Sequence, residues 1–350
     1  MPELRVVDFG RVSALRSQTL WHALAYGVSR GGPPTLSFMR PSRPYVGLGY
    51  HRRLEEADIE ACREAGLPVF RRMVGGGVVY LDEHQQFFQI CLPMSLVPRS
   101  REAALRRLLM PAVAAFRAVG VPAEMGDDLE IVVGEAKICG HGAAQIEEAV
   151  VVVGNLIERF DHTAAARVLA LPDEVRAEVV RLMERFVTAT PADSAAFRSA
   201  AIAAYGEALG LEPVVAGLSA YERERLLELD GRFRSQAWLR GPQRPDPKCS
   251  QIKVRAGVFV LCAEHERSRA VASVVGGRIE RARVSDPELN GAGAVMEDRL
   301  AGLSLADVGD VLAGFGAPGR RLAAAFAKAR LPGGWGVSPR QGRREPPEAV

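Results

Sequence analysis

The chain has 350 residues, of which 48% are hydrophobic, so it can bury a full core and is long enough for about two domains. A net charge of only +3 excludes a protein that binds polyanions over its whole surface, and any basic character must be local. The five cysteines form no C-x-x-C pair and the six histidines no H-x-x-x-H, which argues against a disulfide framework, a zinc site and a metalloprotease. Because we find neither a signal peptide nor the roughly 20 apolar residues of a membrane span, we expect a cytoplasmic protein.

The first 120 residues alternate between strand-like and helix-like segments. Residues 17–28 and 101–119 carry apolar side chains at helical spacing, and Pro111 is expected to kink the second of these helices. A third helix is predicted at residues 54–65, which have acidic side chains in the first turn and end at Gly66. The predicted strands of this region are residues 4–9, 35–39, 43–50, 78–80 and 86–92.

The next hundred residues contain an unusually apolar strand. Residues 149–157 include four consecutive valines, and this continuous pattern predicts a strand that is buried on both faces. A shorter strand is predicted at residues 129–133. The helices predicted here are residues 173–186 and 193–209.

From about residue 211 the character of the sequence changes. A charged helix at residues 222–228 precedes strands, two of which flank Gly276-Gly277 and form a predicted two-residue hairpin. We therefore predict one domain at residues 1–215, a smaller accessory domain at 216–330 and a disordered tail at 331–350. The remaining predicted elements are strands at 252–262, 270–275 and 278–284 and closing helices at 303–306 and 320–329.

A loop with two arginines and three glycines is the first candidate functional segment. It runs from Arg71 to Tyr80 and reads R-R-M-V-G-G-G-V-V-Y, a loop that leads into a strand. Consecutive glycines let a ligand lie against bare backbone, where N–H groups can hold an anion, and arginine remains charged near neutral pH. The same residues also fit a hairpin turn with two solvated arginines.

A second loop carries a single lysine between glycines. Gly134 to Gly140 reads G-E-A-K-I-C-G and is flanked by strand-like sequence on both sides. Two such loops at this separation favour a shared anion-binding site over two unrelated turns. The ammonium of Lys137 is a compact charge with three N–H donors, and it could reach an anion bound at that site.

The two loops together resemble the lipoate–protein ligase A family. Arg71 to Asp82 resembles the family's lipoate-binding pattern R-R-x-S-G-G-G-A-V-Y-H-D, and Asp127-Asp128-Leu129 resembles its N-D-L element. Gly134 to Gly140 is similar to the G-x-K-x-S-G lysine loop. The segments at 185–188 and 233–238 resemble a later R-V-T element and the start of the ligase's accessory domain. The resemblance covers about residues 10 to 330 and implies an α+β fold, a mixed sheet flanked by helices, with a smaller C-terminal α+β domain.

The resemblance implies a two-step acyl transfer. ATP activates lipoate or octanoate as the acyl-adenylate, and the acyl group passes to a lysine of a lipoyl carrier domain. Lys137 would be catalytic, because it could contact the acyl carbonyl and the α-phosphate together. Asp128 would position Mg²⁺ or the adenylate. The ATP- and lipoate-binding residues that the resemblance implies are Arg72, Gly75, Gly76, Gly77, Val78, Val79, Tyr80, Asp128, Lys137 and Gly140.

The implied cofactors are ATP and Mg²⁺, with lipoate as substrate. The implied partner is a lipoyl carrier such as a 2-oxoacid dehydrogenase subunit or a glycine cleavage H protein. We expect no nucleic-acid partner, since no module of that kind is visible, and no membrane partner. The sequence departs from the family pattern at Val74 in place of serine, at Leu81 in place of histidine, and in residues 149–157, which lack the usual H-H-G-T.

Two alternatives remain open. Octanoyltransferases share the fold and a similar lysine loop, but they carry the acyl group on a cysteine and need no ATP. Their nucleophile lies either about 30 residues after the lysine or in the strand region before it, and here no cysteine occurs at 92–138 or 140–248. Cys139 is read as a small buried residue in place of the loop serine. The other alternative is a non-catalytic protein that binds lipoate or its carrier.

Overall fold

The computed structural model describes residues 2–241 and 249–328 of the chain. By their contacts these residues form two compact units. The first contains residues 2–241 together with Ile252–Ala256, and the second contains residues 249–251 and 257–328. The predicted tail at 331–350 lies outside the described residues.

The described residues form eleven α-helices and sixteen strands. The helices are α1 (Arg16–Ser29), α2 (Ile59–Glu64), α3 (Arg101–Ala118), α4 (His162–Arg167), α5 (Asp173–Phe186), α6 (Ser194–Leu209), α7 (Ala220–Arg234), α8 (Gln236–Arg240), α9 (Gly293–Leu300), α10 (Val308–Ala313) and α11 (Gly316–Ala327). The strands of the first half are β1 (Glu3–Val12), β2 (Thr35–Pro41), β3 (Tyr45–Leu48), β4 (Val69–Arg71), β5 (Val78–Leu81), β6 (Gln85–Pro93), β7 (Glu124–Met125), β8 (Ile131–Val133), β9 (Ala136–Lys137), β10 (His141–Ile146) and β11 (Ala149–Ile157). The remaining strands are β12 (Glu212–Val215), β13 (Cys249–Arg255), β14 (Val258–His265), β15 (Ser268–Val275) and β16 (Arg278–Ser285).

The first unit is built on a six-stranded mixed sheet with the order β10-β11-β6-β2-β1-β12. Strand β1 runs parallel to β2 and β12, and the other pairs are antiparallel. Helices α3 and α6 cover one face of the sheet, and α1 and α7 cover the other. Val152 packs in the first apolar layer and Val151 in the second, so β11 is buried on both faces as its run of valines predicts. The α+β fold expected from the sequence is confirmed.

Two small sheets hold the loops that the sequence singles out. Strand β3 pairs in parallel with β4 and antiparallel with β5, so the arginine–glycine loop connects two strands that share one neighbour. Strands β7, β8 and β9 form an antiparallel meander in which Val132 lies opposite Lys137. The hairpin of β10 and β11 follows directly and joins the lysine loop to the main sheet.

Helix α7 is fixed to the first unit by buried charge. The guanidinium of Arg5 in β1 donates to the Glu222 carboxylate at 2.9 Å, and Glu222 is only 1% exposed. Asp230 accepts a hydrogen bond from Thr19 at 2.7 Å and pairs with Arg16 at 2.8 Å. The residues of this helix, which the sequence analysis places at the start of an accessory domain, therefore pack against α1 and β1.

A four-stranded sheet has the order β13-β14-β15-β16, and the second unit contains its strands β14 to β16 and the helices α9 to α11. The predicted hairpin is present, and Gly276 and Gly277 both have positive φ, +59° and +79°, as a tight turn between twisted strands requires. The single strand predicted at 252–262 is interrupted at Gly257, where φ is +74°. The helix predicted at 303–306 is wrong, because Ser304 forms a β-bridge with Arg278 and the helices lie on either side.

Candidate functional site

The arginine–glycine loop closes around the guanidinium of Arg72. This side chain is 8% exposed and donates to the carbonyl oxygens of Gly47 at 2.6 Å, Gly75 at 3.0 Å and Gly77 at 2.9 Å. Burial lowers its pKa to about 10, which leaves it charged at neutral pH. Gly76 adopts φ of +101° above the guanidinium, a conformation that favours glycine. Arg72 thus shapes the loop from inside.

The backbone N–H groups of the loop remain available. In the part of the chain that the structure describes, those of Gly75, Gly76 and Gly77 donate no hydrogen bond. The carbonyls are used instead, since Gly49 N–H donates to Gly77 O and Tyr50 N–H to Val74 O, each at 3.1 Å. A Cβ at Gly49 would lie 2.1 Å from Gly76 O, so residue 49 must be glycine for the loop to sit where it does. Consecutive backbone N–H groups without protein partners are a donor set of the kind that binds an anion.

Arg71, the other arginine, is among the largest fully buried side chains of the protein at 1% exposure. Its guanidinium is surrounded by backbone oxygens and ties the start of the loop to α8. A Cβ at Gly241 would come within 2.7 Å of the same guanidinium. The acceptors are the carbonyl oxygens of Gly49, Tyr50, Arg52, Trp238, Leu239 and Arg240.

The buried side chain of His22 supports the arginine–glycine loop through a hydrogen bond with Met73. The Nδ1 of His22 in α1 donates to Gln18 O, and its Nε2 accepts from Met73 N–H at 3.3 Å. Burial lowers the pKa of His22 to about 3, so the ring is neutral at pH 7 and can accept this bond. The ring also packs edge-on against Phe233.

The lysine loop presents an ammonium group beside a buried carboxylate. Lys137 Nζ lies 2.9 Å from Glu130 Oε1, across the β8–β9 hairpin. The Lys137 carbonyl accepts from Thr188 N–H at 2.9 Å, which fixes the backbone of the lysine. Asp128 closes the preceding turn by accepting from Glu130 N–H at 3.1 Å, and Arg255 lies 3.5 Å from its other oxygen.

An amide chain connects the lysine loop to the main sheet. Gly140 N–H donates to Asn155 Oδ1 at 2.6 Å, and Asn155 Nδ2 donates to Gln85 Oε1 at 2.8 Å. Asn155 and Gln85 are both buried, on β11 and β6 respectively. The amide of Asn155 therefore fixes the end of the loop that carries Lys137.

The two loops meet at one place in the first unit. A Cβ at Gly142 in β10 would lie 3.6 Å from Val74 Cβ, so the strand that follows the lysine loop packs directly on the arginine–glycine loop. In the same strand, burial lowers the pKa of His141 to about 4, and Lys137 acts in the same direction. The strand that follows Lys137 therefore contacts the loop that carries the free N–H groups.

The catalytic-domain model for lipoyl protein ligase A/B matches residues 14–203, more than half of the chain. The chain belongs to this family. The resemblance drawn from the two loops is thereby confirmed.

Relatives of this family member carry two different activities in their names. Octanoyltransferase LipM of Moorella thermoacetica is 25% identical over 59% of this chain and 86% of its own length. Lipoate-protein ligase A subunit 1 of Thermoplasma acidophilum is 24% identical over 67% of this chain and 94% of its own.

Solved structures of lipoate-protein ligases share the fold. The bi-partite ligase of T. acidophilum, described with its E2 lipoyl domain, matches with a TM-score of 0.64 at 23% identity, covering 70% of this chain and 99% of that one. A lipoate-protein ligase A bound with ATP gives a TM-score of 0.59 at 22% identity, covering 68% and 99%. P. falciparum LipL1 in complex with lipoate gives 0.55 at 12% identity, covering 89% and 94%.

The predicted site residues of this ligase-family chain fall into three groups. Gly75 to Gly77 expose N–H groups, Lys137 and Gly140 lie on the adjoining loop, and residues 78–80 form half-buried β5 behind them. The predicted contact of Arg72 with phosphate stays a prediction, because in this structure every nitrogen of its guanidinium donates to a backbone carbonyl of the loop or of β3.

Sequence reasoning missed three functional candidates. Glu130 and Asn155 lie in apolar strand sequence, where a buried carboxylate or amide is a signal because it needs a partner. Lys253 carried no such signal, since only the folded chain brings it near Glu130.

Two features are absent from the described residues, a membrane-spanning helix and a cluster of metal ligands. No helix among them is both long and apolar enough to cross a bilayer. No three His, Cys, Asp or Glu side chains of residues 2–241 and 249–328 are grouped so that they could hold a metal ion. A Mg²⁺ ion that arrives with a nucleotide needs only one or two protein carboxylates, and Asp128 would supply one.

Proposed function

We propose that this family member is an ATP-dependent lipoate–protein ligase, which activates lipoate or octanoate as an acyl-adenylate and transfers the acyl group to a lysine of a lipoyl carrier domain. The observation that carries the proposal is the row of unpaired N–H groups at Gly75–Gly77 on a loop that adjoins the loop of Lys137. A reaction between a carboxylate and a phosphate brings negative charges together, and such donors offset that repulsion.

In this proposal each group of residues has a separate role. The Gly75–Gly77 N–H groups hold phosphate oxygens, and Lys137 contacts the oxygen on which charge develops in both half-reactions. Asn155 fixes Gly140 and so the position of Lys137. Asp128 would hold Mg²⁺, which would neutralise phosphate charge when bound, and it would exchange its 3.5 Å pairing with Arg255 for the ion.

A second candidate is octanoyl transfer without ATP, which the similarity to two LipM octanoyltransferases favours. Such a reaction needs a thiolate. The three described cysteines of the first unit are buried, and burial raises the pKa of Cys139 and Cys91 to about 12 and that of Cys62 to about 11. These thiols are poor nucleophiles at neutral pH, which supports the ligase.

The partner that we propose is a lipoyl carrier domain of a 2-oxoacid dehydrogenase or a glycine cleavage H protein. The T. acidophilum ligase of the same fold is described together with its E2 lipoyl domain, which supports a carrier of this kind. The Lys137 ammonium would serve the second half-reaction by stabilising charge on the acyl carbonyl while the carrier lysine attacks.

Pyrophosphate release from ATP tests the proposal. We expect release with lipoate or octanoate in the absence of any carrier, and acyl transfer once a lipoyl domain is added. Transfer from octanoyl-carrier protein without ATP, with no pyrophosphate release, would instead establish the octanoyltransferase. Binding of lipoate or carrier without turnover in either assay would identify a non-catalytic binding protein.

A further inference from the structure

Glu130 is a buried carboxylate that the proposed chemistry does not use. Its side chain is 4% exposed, and Oε1 accepts from Lys137 Nζ at 2.9 Å. Within the part of the chain that the structure describes, Oε2 is buried and has no hydrogen-bond partner. The carboxylate therefore has the capacity to accept a second ammonium group.

A second ammonium group lies within reach. Lys253 Nζ is 3.8 Å from the same Glu130 Oε1, and its side chain is half exposed. Lys253 belongs to the segment Ile252–Ala256, whose contacts place it in the first unit. The segment is anchored next to Lys253 by Arg255, which pairs with Asp128 at 3.5 Å and lies 5.3 Å from the centre of the Phe186 ring.

One carboxylate thus faces two ammonium groups at unequal distances. Burial disfavours the charged form of Glu130, but the nearby ammonium groups of Lys137 and Lys253 outweigh it and hold the pKa of the carboxyl below its usual range. A buried carboxylate that loses a paired cation is strongly destabilised. The backbone of Ala256 also supports the charge of Glu130, but it carries no full positive charge, so the release of Lys137 to a substrate costs least when another cation takes its place.

We propose that Glu130 and Lys253 are positioning residues for Lys137, with Glu130 holding its ammonium in the substrate-free protein and Lys253 replacing it when Lys137 turns to the substrate anions. This rests on the proposed function. The exchange moves no proton and breaks no covalent bond. It lowers the cost of releasing Lys137, because the charge of Glu130 stays paired throughout.

Chemical labelling of lysines tests the resting state without any turnover. The full chain is treated with an amine-reactive reagent, and the modification of Lys137 is measured by peptide mass spectrometry. In Glu130→Gln we expect Lys137 to react about tenfold faster, because its nitrogen is no longer held by the carboxylate at 2.9 Å. Glu135→Gln removes an exposed carboxylate of the same hairpin, paired with Arg185, and should leave the reactivity of Lys137 unchanged. An unchanged Lys137 in Glu130→Gln would overturn the proposal.

A double-mutant cycle tests the exchange itself. Lys253→Met should lower kcat for pyrophosphate release about tenfold, with KM values for ATP and lipoate within about twofold, because Glu130 then retains Lys137. In the Glu130→Gln background the same change should have no further effect. An equal loss in both backgrounds would show that Lys253 contacts substrate directly, and the proposal would be wrong. Should Glu130→Gln not fold, as judged by thermal unfolding, Glu130→Asp replaces it in both experiments.

The outcomes separate this inference from the proposed function. If no pyrophosphate is released but octanoyl transfer occurs, the ligase assignment fails, and the same cycle is measured on that transfer, where the absence of coupling between the two variants overturns the exchange. If no acyl transfer of any kind occurs, there is no reaction for Lys137 to serve and both proposals fall.

Discussion

The arginine–glycine loop and the lysine loop keep their cations in opposite ways. Arg71 and Arg72 are buried and surrounded by backbone carbonyls of residues far apart in the chain. Lys137 is paired with one side-chain carboxylate that a second ammonium group also approaches. Carbonyl oxygens of fixed backbone cannot be released without rearranging the fold, whereas a carboxylate can change partners. The difference supports the proposal that the arginines stabilise the site and that the lysine acts in it.

Replacement of Arg71 should have the largest effect on folding. Arg71→Met removes the donor shared by six backbone carbonyls from a side chain that is itself 1% exposed, and we expect the free energy of unfolding to fall by about 4 kcal/mol or more. Urea unfolding measures it. The matched control is Arg63→Met, an exposed arginine paired with Glu60, for which no measurable change is expected. A loss below about 1 kcal/mol in Arg71→Met would show that Arg71 does not stabilise the fold, contrary to the contrast drawn with Lys137.

Replacement of Lys137 should lower activity strongly and leave the free energy of unfolding nearly unchanged. In Lys137→Ala we expect pyrophosphate release to fall on the order of 100-fold or more, equivalent to about 3 kcal/mol in the barrier, because a contact to developing charge is lost. The protein should remain folded, since Lys253 is near enough to pair with Glu130. Activity and urea unfolding are measured on the same samples, with Lys328→Ala in the second unit as control. Unfolding of Lys137→Ala would assign the lysine a structural role.

Lowering the pH should destabilise the protein, because His22, which supports the arginine–glycine loop, is neutral in the folded state. The pKa of His22 is about 3 in the folded protein and about 6.5 when unfolded, so between these values the unfolded chain binds the extra proton. The stability that His22 contributes is complete above about pH 6.5 and is lost as the pH falls, by about 2 kcal/mol between pH 7 and pH 5. Urea unfolding at both values measures it. His22→Gln should remove this part of the slope, and an unchanged slope would show that His22 is not responsible.

Replacement of Cys139 should have the smallest effect. Its thiol is buried, with Sγ 3.6 Å from Gly140 O, and a serine hydroxyl could donate to the same carbonyl. We expect Cys139→Ser to keep pyrophosphate release within about twofold of the original rate, because the transition state gains no contact from this side chain. A loss of octanoyl transfer on the order of 100-fold in the same variant would instead make Cys139 the nucleophile of a transferase.

Local patterns in the sequence predicted much of the fold and both loops. The valines of β11 and the glycines of the β15–β16 hairpin each carry a signal within a few residues, and the structure has these elements as predicted. The lysine segment differs in part from the prediction, because Lys137 lies on the short strand β9 and not in a loop. Residues 54–65 show the limit of such signals. The predicted single helix is a short 3₁₀ turn at Leu54–Glu56 followed by α2, since Asp58 caps α2 through Ala61 N–H.

The burial of the arginines could not be predicted, for a physical reason. The carbonyls that surround Arg71 lie about 20 and about 170 residues away in sequence, so no local pattern reports them. The same applies to Lys253, which is more than 100 residues from Glu130. The sequence singled out the two arginines and Lys137 but not Lys253, and the partners of all these cations depend on long-range contacts.

The Arg5–Glu222 pair limits how the protein can be shortened. A chain cut after residue 215, where the sequence suggests a domain boundary, would keep the arginine in β1 and discard the carboxylate that neutralises it. It would also uncover the apolar face of α1 and release Arg71 from α8. An excised catalytic portion must therefore extend at least through Gly241 to remain a stable protein.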